Sequence, residues 1–260
     1  MRGSLDHQAG FTLVEMSMVL VVIGLILTLV YPALVSLRQT TQHNLTASNL
    51  TALMRATAAY VQANGCVPCP SRASAPQEGF GRVRGDAVAL ACGGVCYPEG
   101  IPPYISLGLP AAMAKDGWGH WITMRVDPAL AANFAEKHNA TAGLCDATLG
   151  TTTSHPTVET QGVTGQQKAA VLFVSHGANG WGAYRPDPAE LGTLDTHPVS
   201  AEGSAYEQLN IDDNTAFYQG VPSPDPLIAF DDQLLYMGRD ALLTMLGTAG
   251  CNTSWGTVSP

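Results

Sequence analysis

One stretch of the sequence decides the fold, because residues 11–37 read FTLVEMSMVLVVIGLILTLVYPALVSL. Glu15 is the only side chain in this stretch that is charged at neutral pH. A transmembrane helix needs about 20 consecutive apolar residues, so the stretch is long enough to cross a bilayer. A secretory signal has an apolar region of only about 7–15 residues, which this stretch exceeds. We therefore predict a membrane-spanning helix near the N-terminus.

The charge of Glu15 needs an explanation, because a carboxylate at the centre of a membrane helix costs about 2.5–3.5 kcal/mol on insertion scales. Glu15 lies close to the N-terminal end of the apolar segment. One interpretation is that its side chain reaches toward the lipid headgroups. The other is that it pairs with a cation inside an assembly of helices, and we favour this second interpretation.

The residues around Glu15 resemble a known processing site. Gly10-Phe11-Thr12-Leu13-Val14-Glu15-Met16 is similar to the cleavage and methylation site of type IV prepilins and type II secretion pseudopilins. In that family a short cytoplasmic leader is removed after the glycine, and the new N-terminal residue is methylated. The resemblance implies cleavage between Gly10 and Phe11 by a prepilin peptidase. It also implies an assembly role for Glu15 and a helix kink at Pro32.

The resemblance gives Glu15 a specific partner. The ammonium group of a processed Phe11 in one subunit would neutralise the Glu15 carboxylate of the next subunit inside a low-dielectric bundle of helices. The leader departs from the usual basic pattern, because its Arg2 is offset by Asp6. A cytoplasmic N-terminus is therefore implied by the resemblance and not by the distribution of charge.

The helix is expected to continue beyond the membrane. Residues 33–64 contain no Pro or Gly, and apolar side chains recur there at helical spacings of three and four. These side chains are Leu50, Leu53, Met54, Ala58 and Val61. We predict one helix over residues 11–64, with residues 11–34 in the membrane and Gly65 as its end.

Residues 65–260, called the head below, have a different composition, rich in Gly, Pro and Cys with short β-like runs. With residues 1–10 as leader and 11–64 as helix, this predicts an α+β fold. The resemblance implies a pilin-like form of it, in which the exported half of the helix packs on an antiparallel β-sheet whose loops are stapled by disulfides. The strand candidates are Trp121–Val126, Ala169–Ser175, Trp181–Tyr184 and Leu227–Asp231, while Leu234–Leu246 fits either a strand or a helix.

All six cysteines of the chain lie in the head, as expected for a region that faces an oxidising periplasm. We predict that the pair Cys66 and Cys69 is bonded to the pair Cys92 and Cys96, and that Cys145 is bonded to Cys251. Two alternatives remain. The first four cysteines have the spacing of a zinc site, and Cys66 and Cys69 form a C-x-x-C motif that is typical of thiol oxidoreductases.

Two further patterns in the head contain residue types that are found in catalytic or metal-binding sites. Ser175 and His176 are a candidate nucleophile and base, but adjacent residues of a strand point to opposite faces, so we expect a structural histidine. Residues 210–214 begin like a calcium loop without completing an EF-hand. Some members of the resembled family bind calcium near the end of the head. We therefore weigh an irregular calcium site against a solvated acidic loop, with Asp212, Asp213, Asp231 and Asp232 as candidate ligands.

Charge and the resemblance together indicate the function class. The chain has 12 Lys and Arg against 21 Asp and Glu, which disfavours nucleic acid as a partner of the head. The resemblance implies a structural subunit without catalytic activity, a minor pilin or pseudopilin of a type IV pilus or a type II secretion-like filament. No cofactor except calcium is expected. A single-pass periplasmic thiol oxidoreductase or ligand-binding protein, unprocessed at Gly10, is the alternative.

The resemblance also implies partners and a location. The partners would be other pilin or pseudopilin subunits, the prepilin peptidase and the assembly platform of the inner membrane. The protein would cross the inner membrane once, with its head in the periplasm, and would become extracellular if it is incorporated into a pilus.

Overall fold

The structure is a computed structural model. It describes residues 13–64, 66–71, 80–83, 96, 98–127, 156–186, 194–195, 205–211, 215–223, 230–238, 241–242 and 244. Contacts divide the chain into two units, Met1–His43 and Asn44–Pro260.

The predicted long helix is confirmed. Helix α1 covers Leu13–Asn64 and continues through Pro32. Phe11, Thr12 and Gly65, at the predicted ends, lie outside the described residues. Within the described part of the chain, α1 is the one helix long and apolar enough to cross a membrane.

The main sheet of the second unit has four strands in the order β1-β2-β5-β9, and all its neighbours are antiparallel. The strands are β1 (Glu99–Gly100), β2 (Thr123–Val126), β5 (Val171–Ser175) and β9 (Gln233–Met237). Every residue of β5 is buried. The predicted α+β class, a long helix with an antiparallel sheet, is therefore confirmed.

A second sheet of three strands has the order β4-β3-β8, and its β3–β8 pair is parallel. Its strands are β3 (Thr157–Thr160), β4 (Gln166–Lys168) and β8 (Ala216–Gln219). The remaining elements are β6 (Arg185–Pro186), which pairs with β7 (Leu194–Asp195), and the short helix α2 (Ala205–Ile211). This second sheet was not predicted from the sequence.

The apolar stripe of α1 packs on one face of the main sheet. The five residues predicted for this stripe are all buried. Leu53 belongs to one apolar cluster with Met124 of β2 and Phe173 of β5. Leu172 and Val174 of β5 belong instead to a cluster with residues of the second sheet. Strand β5 is thus covered on both faces, because successive side chains of a strand point in opposite directions.

Two polar side chains of α1 also hold the helix on the head. The side-chain amide of Asn49 donates hydrogen bonds to the carbonyl oxygens of Ala112, at 3.3 Å, and Lys115, at 2.8 Å. The hydroxyl oxygen of Thr46 accepts a hydrogen bond of 2.9 Å from the backbone N–H of Gly117. These contacts attach the segment before β2 to the helix.

A disulfide joins Cys69 to Cys96, with 5.6 Å between their Cα atoms, and Cys66 is also disulfide-bonded. The prediction of disulfide-stapled loops is confirmed for this bond. Sulfurs held in disulfides are not zinc ligands, which argues against the zinc alternative. Cys92, Cys145 and Cys251 lie outside the described residues, so the pairing of Cys145 with Cys251 stays a prediction.

Asn49→Ala is expected to destabilise the head by about 1–2 kcal/mol, because two carbonyl oxygens lose their hydrogen-bond donor. This corresponds to a fall in the melting temperature of about 2–8 °C for a domain of this size. The measurement is thermal unfolding of the full chain in detergent, followed by near-UV circular dichroism. Asn44→Ala is the matched control, since Asn44 is exposed on the same helix. An equal loss of stability in the two variants would contradict this role of Asn49.

Candidate functional site

The N-terminal part of α1 presents an uninterrupted apolar surface. Every side chain from Leu13 to Thr41 is exposed, and Leu13 and Leu29 keep 87% and 79% of their accessible surface. A helix that is apolar on all sides is not stable in water and belongs in lipid or among other helices. This part of the chain is therefore suited to a membrane or to contact with other apolar helices.

Four hydroxyl groups of this surface donate hydrogen bonds to backbone carbonyl oxygens of the same helix. The hydroxyl of Ser17 donates to the carbonyl oxygen of Val14, and that of Thr28 donates to the carbonyl oxygen of Leu25, both at 2.8 Å. Glu15 differs from them because it carries a full charge, and its side chain is exposed among the apolar residues. Desolvating that charge is costly unless an opposite charge meets it.

Several sequence-predicted positions of this segment remain predictions. Gly10 and Phe11 lie outside the described residues. Pro32 lies inside α1, as expected, and the kink predicted there stays a prediction.

The candidate nucleophile and base in the head do not form a pair. The hydroxyl of Ser175 donates to Oδ2 of the buried Asp116 at 2.9 Å, whereas Nε2 of His176 shares a hydrogen bond of 2.8 Å with Oγ1 of Thr123. Asp116 Oδ1 also accepts hydrogen bonds from two backbone N–H groups of the turn that follows it, those of Trp118 and His120. These residues have a structural role, since they tie the turn before β2 to β5.

Three carboxylates meet at another place in the head. Glu207 is on α2, and Asp231 and Asp232 directly precede β9. One oxygen from each lies within 4.8 Å of an oxygen from each of the others. Glu207 and Asp232 are buried, with 1% and 4% of their surface exposed. We call these three residues the acid cluster.

Each carboxylate of the acid cluster uses one oxygen to hold the surrounding structure. Oδ2 of Asp232 accepts a hydrogen bond of 2.7 Å from Asn210, and Oε1 of Glu207 accepts one of 2.9 Å from Asn179. Oδ2 of Asp231 accepts hydrogen bonds from the backbone N–H groups of residues 178 and 179. The other oxygens of the two aspartates, Oδ1 in each case, are buried and accept no hydrogen bond.

Burial raises the pKa of Asp232 well above its ordinary value. The negative charges of Asp231 and Glu207 raise this pKa further, while the hydrogen bond from Asn210 opposes the shift. The cause is electrostatic, because a buried carboxylate surrounded by like charges is unfavourable without a compensating cation.

Two residues of the acid cluster, Asp231 and Asp232, are among the calcium ligands predicted from the sequence, and calcium binding stays a prediction. Asp212 and Asp213 lie outside the described residues. Glu207 was missed. Its spacing of three residues from Asn210 on one helical face is the signal that could have identified it.

Comparison with known proteins gives one finding about the N-terminal segment. Residues 5–31 match a family model described as the prokaryotic N-terminal methylation motif. No curated protein and no solved structure matches the chain. The matched residues include the predicted cleavage site and Glu15, and they end inside the apolar part of α1. Together with this apolar helix, the motif indicates a single-pass membrane-anchored protein, and it supports the resemblance of this segment to type IV pilins and pseudopilins.

Proposed function

We propose that this protein is a structural subunit, a minor pilin or pseudopilin, of a type IV pilus or a type II secretion-like filament. The observation that carries the proposal is the methylation motif at residues 5–31, followed by a helix whose apolar side chains are all exposed as far as residue 41. In this proposal a prepilin peptidase cuts after Gly10, and Phe11 becomes the methylated N-terminus. The large head favours a minor subunit over the main repeating one.

The exposed surface of α1 would contact two environments in turn, first lipid and then the helices of neighbouring subunits. Before assembly, lipid covers the apolar side chains, and the helix satisfies its own backbone groups as a membrane span requires. After assembly, the helices of neighbouring subunits replace the lipid. Because both environments are apolar, this transfer does not expose the segment to water, and packing and charge decide whether it occurs.

The charge of Glu15 would make the assembly select subunits that carry this carboxylate over subunits that lack it. In a filament, the carboxylate of one subunit would meet the amino terminus on Phe11 of the next, and each would remove the desolvation cost of the other. A subunit without the carboxylate would leave a buried ammonium group unpaired. Removing one partner of such a pair costs about 3–5 kcal/mol.

The location follows from the same arrangement. The subunit would cross the inner membrane once with its head in the periplasm, and would reach the cell exterior if its filament is a pilus. Its partners would be other pilin or pseudopilin subunits, the prepilin peptidase and the inner-membrane assembly platform. The Cys69–Cys96 disulfide supports an oxidising compartment for the head.

The thiol oxidoreductase alternative is less well supported by the head. A redox-active C-x-x-C motif forms its disulfide between its own two cysteines, whereas Cys69 is bonded to Cys96. Cys66 and Cys69 are both buried, with 0% and 3% of their surface exposed. A reactive cysteine is partially exposed. A structural role of these cysteines is therefore the better explanation.

Processing is tested by the mass of the N-terminal peptide of the protein isolated from its host. We expect the chain to begin at a methylated Phe11, and we expect Gly10→Leu to remain uncut because the resemblance places the cleavage directly after a glycine. Gly3→Leu is the control, since it makes the same change inside the leader. A wild-type chain that still begins at Met1 would overturn the proposal in favour of an anchored periplasmic protein.

Assembly is tested with Glu15→Gln, which keeps the shape of the side chain and removes its charge. Because an unpaired buried ammonium group costs several kcal/mol, we expect at least about a tenfold loss of the subunit from sheared filaments. The amount in the membrane fraction should not change. The readout is quantitative immunoblotting of both fractions.

Ser17→Ala is the control for Glu15→Gln, because it removes a polar group from the same segment that is satisfied within the helix. We expect Ser17→Ala to assemble like the wild type. Incorporation of Glu15→Gln at the wild-type level would show that the charge has no part in assembly.

A further inference from the structure

We infer that helix α2 covers the outer edge of strand β8 and keeps this edge from pairing with the β8 edge of a second copy of the chain. The side-chain amide of Asn210 is the contact that closes the edge. The inference concerns the second sheet of the head, and it does not depend on the proposed function of the N-terminal segment.

Strand β8 is an outer strand of the second sheet in the part of the chain that the structure describes, with β3 beside one of its edges. The backbone N–H of Gln161, directly after β3, donates a hydrogen bond of 2.8 Å to the carbonyl oxygen of Gln219. The backbone groups of successive residues point to opposite edges of a strand. The N–H and C=O of the preceding residue, Tyr218, therefore point away from β3, to the outer edge.

Asn210 of α2 lies where a peptide group of another strand would lie at this edge. Its Oδ1 accepts a hydrogen bond of 2.8 Å from the N–H of Tyr218, and its Nδ2 donates one of 3.0 Å to the carbonyl oxygen of Tyr218. A carboxamide offers the same donor and acceptor as a peptide group. The Nδ2 group also donates to Oδ2 of Asp232 at 2.7 Å, which fixes the orientation of the amide.

A ring on α2 extends the cover beyond the backbone. The ring of Tyr206 stacks on the ring of Tyr218, with 4.2 Å between their centroids and 23° between their planes. Tyr206 is 40% exposed, whereas Asn210 and Tyr218 are buried. The outer surface of α2 thus faces the solvent in place of the edge of β8.

The sequence of β8 explains why this edge needs a cover. Edge strands are usually protected from pairing by charged side chains, above all Lys, or by Pro. Strand β4, at the opposite edge of the same sheet, is fully exposed and carries Lys168. Strand β8 reads Ala-Phe-Tyr-Gln, and no residue from 214 to 223 is charged. Uncharged aromatic strands pair readily, so the protection of β8 has to come from another element.

A second copy of the chain is the partner that an open β8 edge would take. Two identical edges pair about a twofold axis, with the two strands antiparallel and the same residues in contact on both sides. Nothing in the strand opposes such pairing, because β8 has no charge that would face its own copy. Copies anchored in one membrane by the apolar part of α1 also meet at a raised local concentration.

The cover is made by a segment close in sequence to the strand that it protects. Asn210 and Tyr218 are eight residues apart. The β3 residues that pair with β8 lie more than fifty residues earlier in the chain. Closing a short loop costs less chain entropy than closing a long one, so α2 is able to cover the outer edge before the sheet is complete.

The test replaces Asn210 by Ala in the full chain purified in detergent. The N–H and C=O of Tyr218 lose their partner, so we expect Asn210→Ala to self-associate at a concentration at least about tenfold lower than the wild type. The oligomeric state is measured by size-exclusion chromatography with light scattering, after subtraction of the detergent. A variant that stays monomeric wherever the wild type does would overturn the inference.

Asn49→Ala is the matched control, because Asn49 is also a buried asparagine whose amide bonds to two backbone carbonyl oxygens. Its contacts lie in the segment before β2 and not at β8. We expect this variant to melt at a lower temperature and to remain monomeric. Equal association of Asn49→Ala and Asn210→Ala would show that loss of stability, and not an open edge, causes the association.

A double variant locates the association at β8. Adding Ala216→Lys to Asn210→Ala places a charge on the edge strand, and in a twofold pair the two lysines would repel each other. We expect the double variant to be monomeric. If it associates as strongly as Asn210→Ala, the contact between copies does not involve β8 and the inference is wrong.

Hydrogen exchange of the wild-type chain tests the cover without any substitution. We expect the N–H of Tyr218 to exchange at least about tenfold more slowly than the N–H groups on the outer edge of β4, because only the former has a hydrogen-bond partner on α2. The rates are measured by mass spectrometry with fragmentation to single residues. Equal rates would show that α2 leaves the edge of β8 open, which would contradict the inference.

Discussion

The structure depends on how one helix keeps its apolar side chains from water. In residues 13–41 the apolar side chains of α1 surround the helix and are exposed, so only lipid or other helices provide a suitable environment. In residues 44–64 the apolar side chains form one stripe, and the sheet of the head covers it. The exposed part of the helix is suited to lipid or to other helices, while the stripe packs against the sheet of the head.

Both surfaces could be predicted because their signals are local. A continuous apolar run and a stripe with spacings of three and four residues are read directly from neighbouring positions. The second sheet could not be read in this way, since β3 and β8 pair in parallel across more than fifty residues of intervening chain. Asn49 and Thr46 were missed for a related reason. Their hydrogen-bond partners lie in a distant segment of the sequence. Because polar residues of a helix are usually exposed, the sequence did not indicate that these two are buried.

The region around Asn179 shows how a distant contact overrides a local turn signal. Asn179-Gly180 is a residue pair typical of hairpin turns, which favours a returning strand after it. The strand predicted at Trp181–Tyr184 is wrong. The pairing partners of β5 are β2 and β9, and residues 181–184 form no strand. Asp231 accepts the N–H groups that follow Gly177, and Gly177 has a φ of +59° with no space for a side chain against that aspartate. The turn is thus shaped by the acid cluster.

The polar contacts of the head matter if the proposed filament role is correct, because forces in a filament would act through the helix. In the proposed filament, a load on one subunit would pass through α1, and the contact between residues 44–64 and the sheet would transmit it. Apolar side chains slide past one another at little cost, since their attraction has no preferred direction. The hydrogen bonds of Asn49 and Thr46 are directional and fix the register of the helix on the head. A stripe of apolar residues thus supplies most of the binding energy, while two buried polar residues specify one position.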